Sequence, residues 1–257
     1  MTASDDPQPT GPELPRYVQL LWGREPAGRR GPKPRVSIEQ IGNAAAELAD
    51  REGFDAVSMK AVADALGMTA MSLYRYVDSK DDLVDLMLNV GYGPPDPSWT
   101  RGVGWRVGLD RWAREIAARL VARPWMIAAH AASGWAPLGP NVLLWEECGL
   151  AAFEGVDLPE TAKLSSMLLL DGFVRSHVAQ SIQLGQAGAD FDHTKPHEDR
   201  YHVFIGQLVT PERFPLLTTA AAAAADDHTD FYGGELDFGI GVILDGLAAK
   251  IERTASL

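Results

Sequence analysis

Cysteine is almost missing from this chain. Cys148 stands alone, so no intrachain disulfide can form and the fold has to rest on its core. The ordinary role for such a thiol is a small buried apolar group. Long hydrophobic runs are also lacking. No stretch of about 20 apolar residues occurs, which argues against a membrane span. The opening residues, 1–15, are acidic and proline-rich, without the basic start and apolar stretch of a secretory signal, so a cytoplasmic location is expected. Strand-type alternation and internal repeats are absent. So are a nucleophile elbow of the G-x-S-x-G type, a Walker phosphate loop and an H-E-x-x-H pair; no enzymatic activity is expected. The segment FDHTKPHEDRYH holds Asp192, His193, His197, Asp199 and His202. Pro196 interrupts the helix that would align His193 with His197, so a solvated loop is preferred there and a metal-dependent enzyme using 192–202 is the alternative. No metal and no cofactor are expected.

What is present is helical. Hydrophobic residues make up 46% of the chain and the formal net charge is -12. An acidic total speaks against nucleic-acid binding, but the distribution is uneven. Arg29, Arg30, Lys33 and Arg35 cluster without an intervening acid, whereas Asp192, Glu198, Asp199, Asp226, Asp227, Asp230 and Glu235 crowd the later part. That asymmetry fits a small DNA-reading part joined to a larger part with another task. Residues 1–35 read as a flexible arm, basic at 29–35, within which 16–22 (RYVQLLW) can form a short helix.

Ser37 with Gln40 forms a capping-box pattern, and Ile38, Ile41, Ala45, Leu48 and Ala49 recur at helical spacing. Gly53 stops that helix. Ser58 caps a second helix with Met59, Val62, Ala63 and Leu66 inward, and Gly67 ends it. A third helix is predicted over 69–77, and Ser79 caps a fourth bearing Leu83, Leu86, Met87 and Val90. The prolines and glycines of GYGPPDPSWT (91–100) break the pattern. Further helices follow: a stripe of Trp105, Leu109, Trp112, Ile116 and Leu120, then one opened by Pro124, then 140–154 and 159–184. A weakly helical stretch covers 197–209, an alanine-rich helix 216–225, and a last helix carries Leu236, Ile240, Ile243, Leu244, Leu247 and Ile251.

The run AVADALGMTAMSLYRYV (61–77) meets the spacing of a helix-turn-helix. A small residue sits where the helices touch (Ala63), a residue tolerant of positive φ at the turn (Gly67), and an apolar anchor beyond it (Leu73). The second helix then stands across the first and can enter a major groove. An ordinary helical hairpin meets the same spacing. The wider stretch from Ser37 to Leu88, through Ala44, Ala45, Leu48, Gly53, SMKAVADALGM and MSLYRYVDSKDDLVDLML, resembles the DNA-binding domain of TetR-family transcriptional regulators. The rest of the chain resembles the C-terminal domain of the tetracycline repressor more loosely.

The resemblance implies an all-α protein, with a three-helix DNA-binding domain over 36–82 and a larger helical ligand-binding and dimerisation domain over 83–257. It implies a ligand-responsive regulator, a repressor in the first instance and an activator in the second, that binds double-stranded operator DNA as a homodimer. Ser58 and Lys60 would face phosphates. Thr69, Ala70, Met71 and Ser72 would approach base edges, Ala70 and Met71 by apolar contact only. Tyr74, Tyr76 and Lys80 would hold phosphates, and Arg75 a base or phosphate. With few long polar side chains on the reading helix, Arg29, Arg30, Lys33 or Arg35 is expected in the adjacent minor groove. Trp105, Trp112, Trp125, Met126, His130, Trp135, Trp145, Met167, Phe173 and His177 are candidates to line an apolar site for a small hydrophobic or amphiphilic inducer, though aromatic stripes at this spacing also build ordinary cores. The helices at 159–184 and 235–253, too apolar to face water and carrying Gly239 and Gly246 for close approach, are expected to pair two subunits.

Overall fold

The computed structural model describes residues 13–24, 36–133, 137–184, 206–225 and 231–255. All regular structure among them is helical, as expected, and no helix there is long and apolar enough to cross a membrane. The chain forms two compact units, one of residues 1–90 with 133–140, the other of 91–132 with 141–257.

The first unit contains α1 (Arg16–Leu21), α2 (Ile38–Glu52), α3 (Met59–Ala65), α4 (Ala70–Leu73) and most of α5 (Lys80–Tyr92). The capping box of α2 is formed: Gln40 N–H donates to Ser37 Oγ at 3.2 Å and Ser37 N–H to Gln40 Oε1 at 2.8 Å. Ile41, Ala45, Val62, Ala63, Leu73, Val77, Leu83 and Met87 are sealed from solvent and make one small core. Helix α4 is shorter than the predicted 69–77. Beyond Leu73 the chain tightens, with Arg75 N–H on Ser72 O and Tyr76 N–H on Leu73 O, and Val77 is driven back into the core.

Helix α1 is tied into this unit by polar as well as apolar contacts. Tyr17 and Val18 are buried, and Tyr17 donates its hydroxyl to the Asp85 carboxylate on α5. Ser133 donates to the other oxygen of Asp85 at 3.0 Å, and Trp22 Nε1 donates to Leu138 O at 2.9 Å. Asp85 thus joins α1, α5 and the 133–140 stretch. Burial pushes the Asp85 carboxyl above its ordinary range, and the Tyr17 and Ser133 hydrogen bonds pull it partly back. A carboxyl raised on folding contributes stability below its unfolded pKa and loses it as pH rises through the folded value. The Tyr17 hydroxyl favours the charged form, so its removal is felt most where Asp85 is ionised. Tyr17→Phe is expected to destabilise this unit by about 1.5–3 kcal/mol at neutral pH, and by less in acid. Melting curves of the two proteins at several pH values check this; a constant difference in melting temperature contradicts it.

The second unit contains α6 (Trp105–Ala122), α7 (Trp125–Ala132), α8 (Pro140–Ala151), α9 (Glu160–Gln183), α10 (Pro215–Ala225) and α11 (Phe231–Ala255). Helix α9 packs against α6 and α11. Gly239 is what lets α11 lie on α9, because a Cβ there would strike the Phe173 ring. Gly246 plays no such part among the described residues; like Gly172 and Gly241 it meets none of them where a Cβ would stand.

Candidate DNA-reading surface and a buried polar chain

In the first unit the turn between α3 and α4 is built by Gly67, at φ +63. Gly67 N–H donates to Asp64 O at 3.1 Å, and Met68 N–H reaches back to Ala63 O at 2.9 Å. This paired closure needs a left-handed residue at that position, where glycine carries no Cβ penalty. Leu73 is fully buried and holds α4 down. The opposite side of α4 projects outward: Met71 is 77% exposed and Tyr74 46% exposed.

Ser58, Lys60, Thr69, Arg75 and Lys80 are exposed as well, and Ala70, Ser72 and Tyr76 are half-buried. Two of these hydroxyls already have structural work. Ser58 Oγ accepts from Ala61 N–H and caps α3, and Thr69 Oγ1 accepts from Ser72 N–H and caps α4, each at 3.2 Å. A cap uses the oxygen as acceptor and can leave the hydroxyl proton for another partner. The Thr69 hydroxyl also meets Ser72 Oγ at 3.0 Å. Lys80 Nζ lies 5.1 Å from the centre of the Phe54 ring, which fixes the ammonium near the start of α5. The arm residues Arg29, Arg30, Lys33 and Arg35 lie outside the described residues, as do Trp135 and the histidine-rich loop 192–202.

In the second unit most of the expected ligand-site aromatics belong to the core. Trp112 Nε1 donates to Trp145 O at 2.9 Å, and Trp145 Nε1 to Gly93 O at 3.0 Å. The Arg119 guanidinium lies 4.5 Å from the Trp145 ring and 5.3 Å from Trp99, and donates to Tyr92 O at 2.7 Å. This stack pins the end of α5. Trp125 and Met126 are buried and pack against Gly91, and Met167 packs against Gly149 beside Trp112. Phe173, His177 and Tyr232 stack in succession where α9 meets α11, and His177 Nε2 lies 2.9 Å from Tyr232 O. Trp105 is half-buried at the start of α6.

His130 belongs to a different group, one that sequence reasoning missed. Its Nε2 lies 2.8 Å from Tyr92 Oη, and its Nδ1 lies 3.2 Å from an Arg175 nitrogen. Arg175 is paired with Asp171 at 2.5 Å. Burial first, then the Arg175 charge, pushes the His130 imidazole down to about 4, so the ring is neutral at physiological pH. Burial pushes the Asp171 and Glu146 carboxyls up, each partly offset by Arg175. Glu146 nonetheless keeps an exposed surface. The Arg175–Asp171 pair could be read from i,i+4 spacing; nothing in the sequence joins it to Tyr92.

An exposed helix carried across its neighbour by a glycine turn defines a helix-turn-helix DNA-binding head. Known proteins agree with that class. The family model described as bacterial regulatory proteins, tetR family, matches residues 41–87, and that of the tetracyclin repressor-like C-terminal domain matches residues 97–251. The HTH-type transcriptional repressor DrrR1 of Streptomyces coeruleorubidus is 31% identical over 245 residues, covering 94% of this chain and 88% of that protein. An HTH-type transcriptional regulator of Saccharopolyspora erythraea is 31% identical over 194 residues, 73% of this chain and 81% of that one. The solved structure of apo ActR from Streptomyces coelicolor superposes with a TM-score of 0.70 at 20% identity, covering 86% of this chain and 99% of that chain. ActR in complex with actinorhodin superposes at 0.66 with 22% identity, over 84% and 97%. This chain belongs to the TetR family of transcriptional regulators. Both of these relatives are named transcriptional regulators.

Proposed function

We propose that the protein is a cytoplasmic, homodimeric repressor that a small hydrophobic or amphiphilic molecule releases from its operator. The observation that carries this reading is the outward face of α4, where Met71 and Tyr74 stand exposed on a helix anchored by Leu73. An apolar side chain so exposed on a short, well-anchored helix fits contact with thymine methyl groups. Around it Ser58, Lys60, Tyr74, Tyr76 and Lys80 would take phosphates, Thr69, Ala70 and Ser72 would meet base edges, and Arg75 a base or phosphate. The head corresponds to 36–82, the sensing and pairing part to 83–257, and the arm 1–35 would add minor-groove contacts through Arg29, Arg30, Lys33 or Arg35.

The reading of α9 and α11 as the pairing surface is supported by what they leave uncovered. Leu168, Leu169, Phe238 and Val242 each keep more than half of their surface in solvent, and Gly172, Gly241 and Gly246 stand beside them with open space. An apolar face edged with glycines admits close approach of a second copy. Pairing sets two heads about 34 Å apart, the spacing of successive major grooves.

DrrR1 is named a repressor, and ActR has been solved with actinorhodin bound; both favour ligand-controlled repression here. In this scheme the ligand binds among the helices of the second unit and prefers a state in which the heads fit DNA badly, since only differential affinity can shift the balance. The test is a fluorescence anisotropy titration of the protein on its own promoter DNA, followed by competition with candidate compounds. Lys80→Ala is expected to weaken binding uniformly across operator variants and to reduce the salt slope by about 1. A set of compounds that bind the protein and never alter operator affinity contradicts the scheme.

A further inference from the structure

Resting on the reading of the second unit as the sensing part, we propose that Tyr92 and Glu146 form the polar end of its ligand site, and that they select a molecule presenting both a carbonyl-type acceptor and a protonated amine while rejecting organic carboxylates. The hydrogen-bond chain leads to the first half. A guanidinium has donors only, so the Arg175 contact makes His130 Nδ1 the acceptor. A neutral imidazole then carries its proton on Nε2, and that proton goes to Tyr92 Oη. The hydroxyl proton of Tyr92 is left over. Tyr92 is 6% exposed, and no acceptor for that proton occurs among the described residues. A buried donor without a partner is unfavourable, so the arrangement is complete only when an acceptor oxygen arrives.

The charges lead to the second half. Asp171 is balanced by Arg175. Glu146 has no cation in contact among the described residues, and both carboxylates act on the Tyr92 hydroxyl. With His130 neutral, two carboxylates stand against one guanidinium that is already engaged. A protonated amine beside Glu146 restores the balance, and a carboxylate ligand worsens it. Tyr92, His130, Glu146 and the Asp171–Arg175 pair come from α5, α7, α8 and α9, so a molecule engaging these groups would act on four helices at once.

The full-length protein is titrated, by quenching of its tryptophan fluorescence, with an aminomethyl anthraquinone, the matching aminomethyl anthracene and the matching anthraquinone carboxylate. The shared three-ring scaffold holds shape constant while acceptor and charge vary. The aminomethyl anthraquinone is expected to bind about tenfold tighter than either of the others. Tyr92→Phe removes its advantage over the anthracene, and Glu146→Gln its advantage over the carboxylate. Proton–nitrogen NMR of the wild-type His130 ring, which needs no variant to fold, is expected to show a neutral ring protonated on Nε2 at pH 7. The proposal is overturned by a charged or Nδ1-protonated ring, by a carboxylate that binds as tightly as the amine, by folded variants that keep the wild-type order of affinities, or by an aminomethyl anthraquinone that does not bind. If other compounds release the operator equally from wild type, Tyr92→Phe and Glu146→Gln, this assignment fails and the sensing reading stands. If no bound compound ever alters operator affinity, the sensing reading fails and takes the assignment with it.

Discussion

Aspartate at both Leu169 and Phe238 is expected to turn the protein into a monomer and to lower operator affinity by about 100- to 10,000-fold. Both side chains point to solvent within one chain, so the substitutions leave the subunit's own core untouched. Across a two-fold axis each change appears twice, which sets four carboxylates into an apolar surface. The loss on DNA follows from geometry. A dimer binds its second half-site at the high effective concentration given by the first, and a lone head must bind unaided. Light scattering after size exclusion reads the mass, and anisotropy on operator DNA reads the affinity. A double variant that remains dimeric, or a monomer that binds operator as well as wild type, removes α9 and α11 from the pairing role.

Leu73→Ala is expected to destabilise the head by about 2–5 kcal/mol, the range for truncating a fully buried leucine. That is a large share of a typical domain's stability. Helix α4 runs only from Ala70 to Leu73, too short to persist without tertiary support. Losing its anchor should release the reading face, and operator binding should fall by more than any single contact explains. Met71→Ala is the control. Met71 is mostly exposed, so its truncation should leave melting unchanged while altering operator affinity. Equal melting temperatures for wild type and Leu73→Ala would mean that α4 is held by something other than this anchor.

The head was legible because its signals are local. The Ser37–Gln40 capping box, the Gly53 and Gly67 stops and the caps at Ser58 and Ser79 each act within a few residues, and each is found in the structure. Helix α4 ends before its sequence pattern does, because Tyr74, Arg75 and Tyr76 suit a helix as well as the tighter turn they adopt; burial of Val77 decides between them. The extra helix α1 could be read from RYVQLLW, but its partner could not, since Tyr17 and Asp85 are 68 positions apart. Tyr92 lies at the edge of the proline-rich boundary and meets His130 across 38 positions. Tryptophan spacing marked apolar faces without telling core from ligand wall, and Trp112 and Trp145 turned out to spend their indole N–H groups on backbone carbonyls inside the core.

Selection of binding sites from a random duplex pool by the full-length protein tests most directly whether the chain turned by Gly67 reads DNA. The expected product is a two-fold symmetric motif with half-site centres about 10 base pairs apart, or a small multiple of that, whose enrichment disappears with Leu73→Ala. A pool that converges on no symmetric motif, or on the same motif with and without the Leu73 anchor, would contradict it.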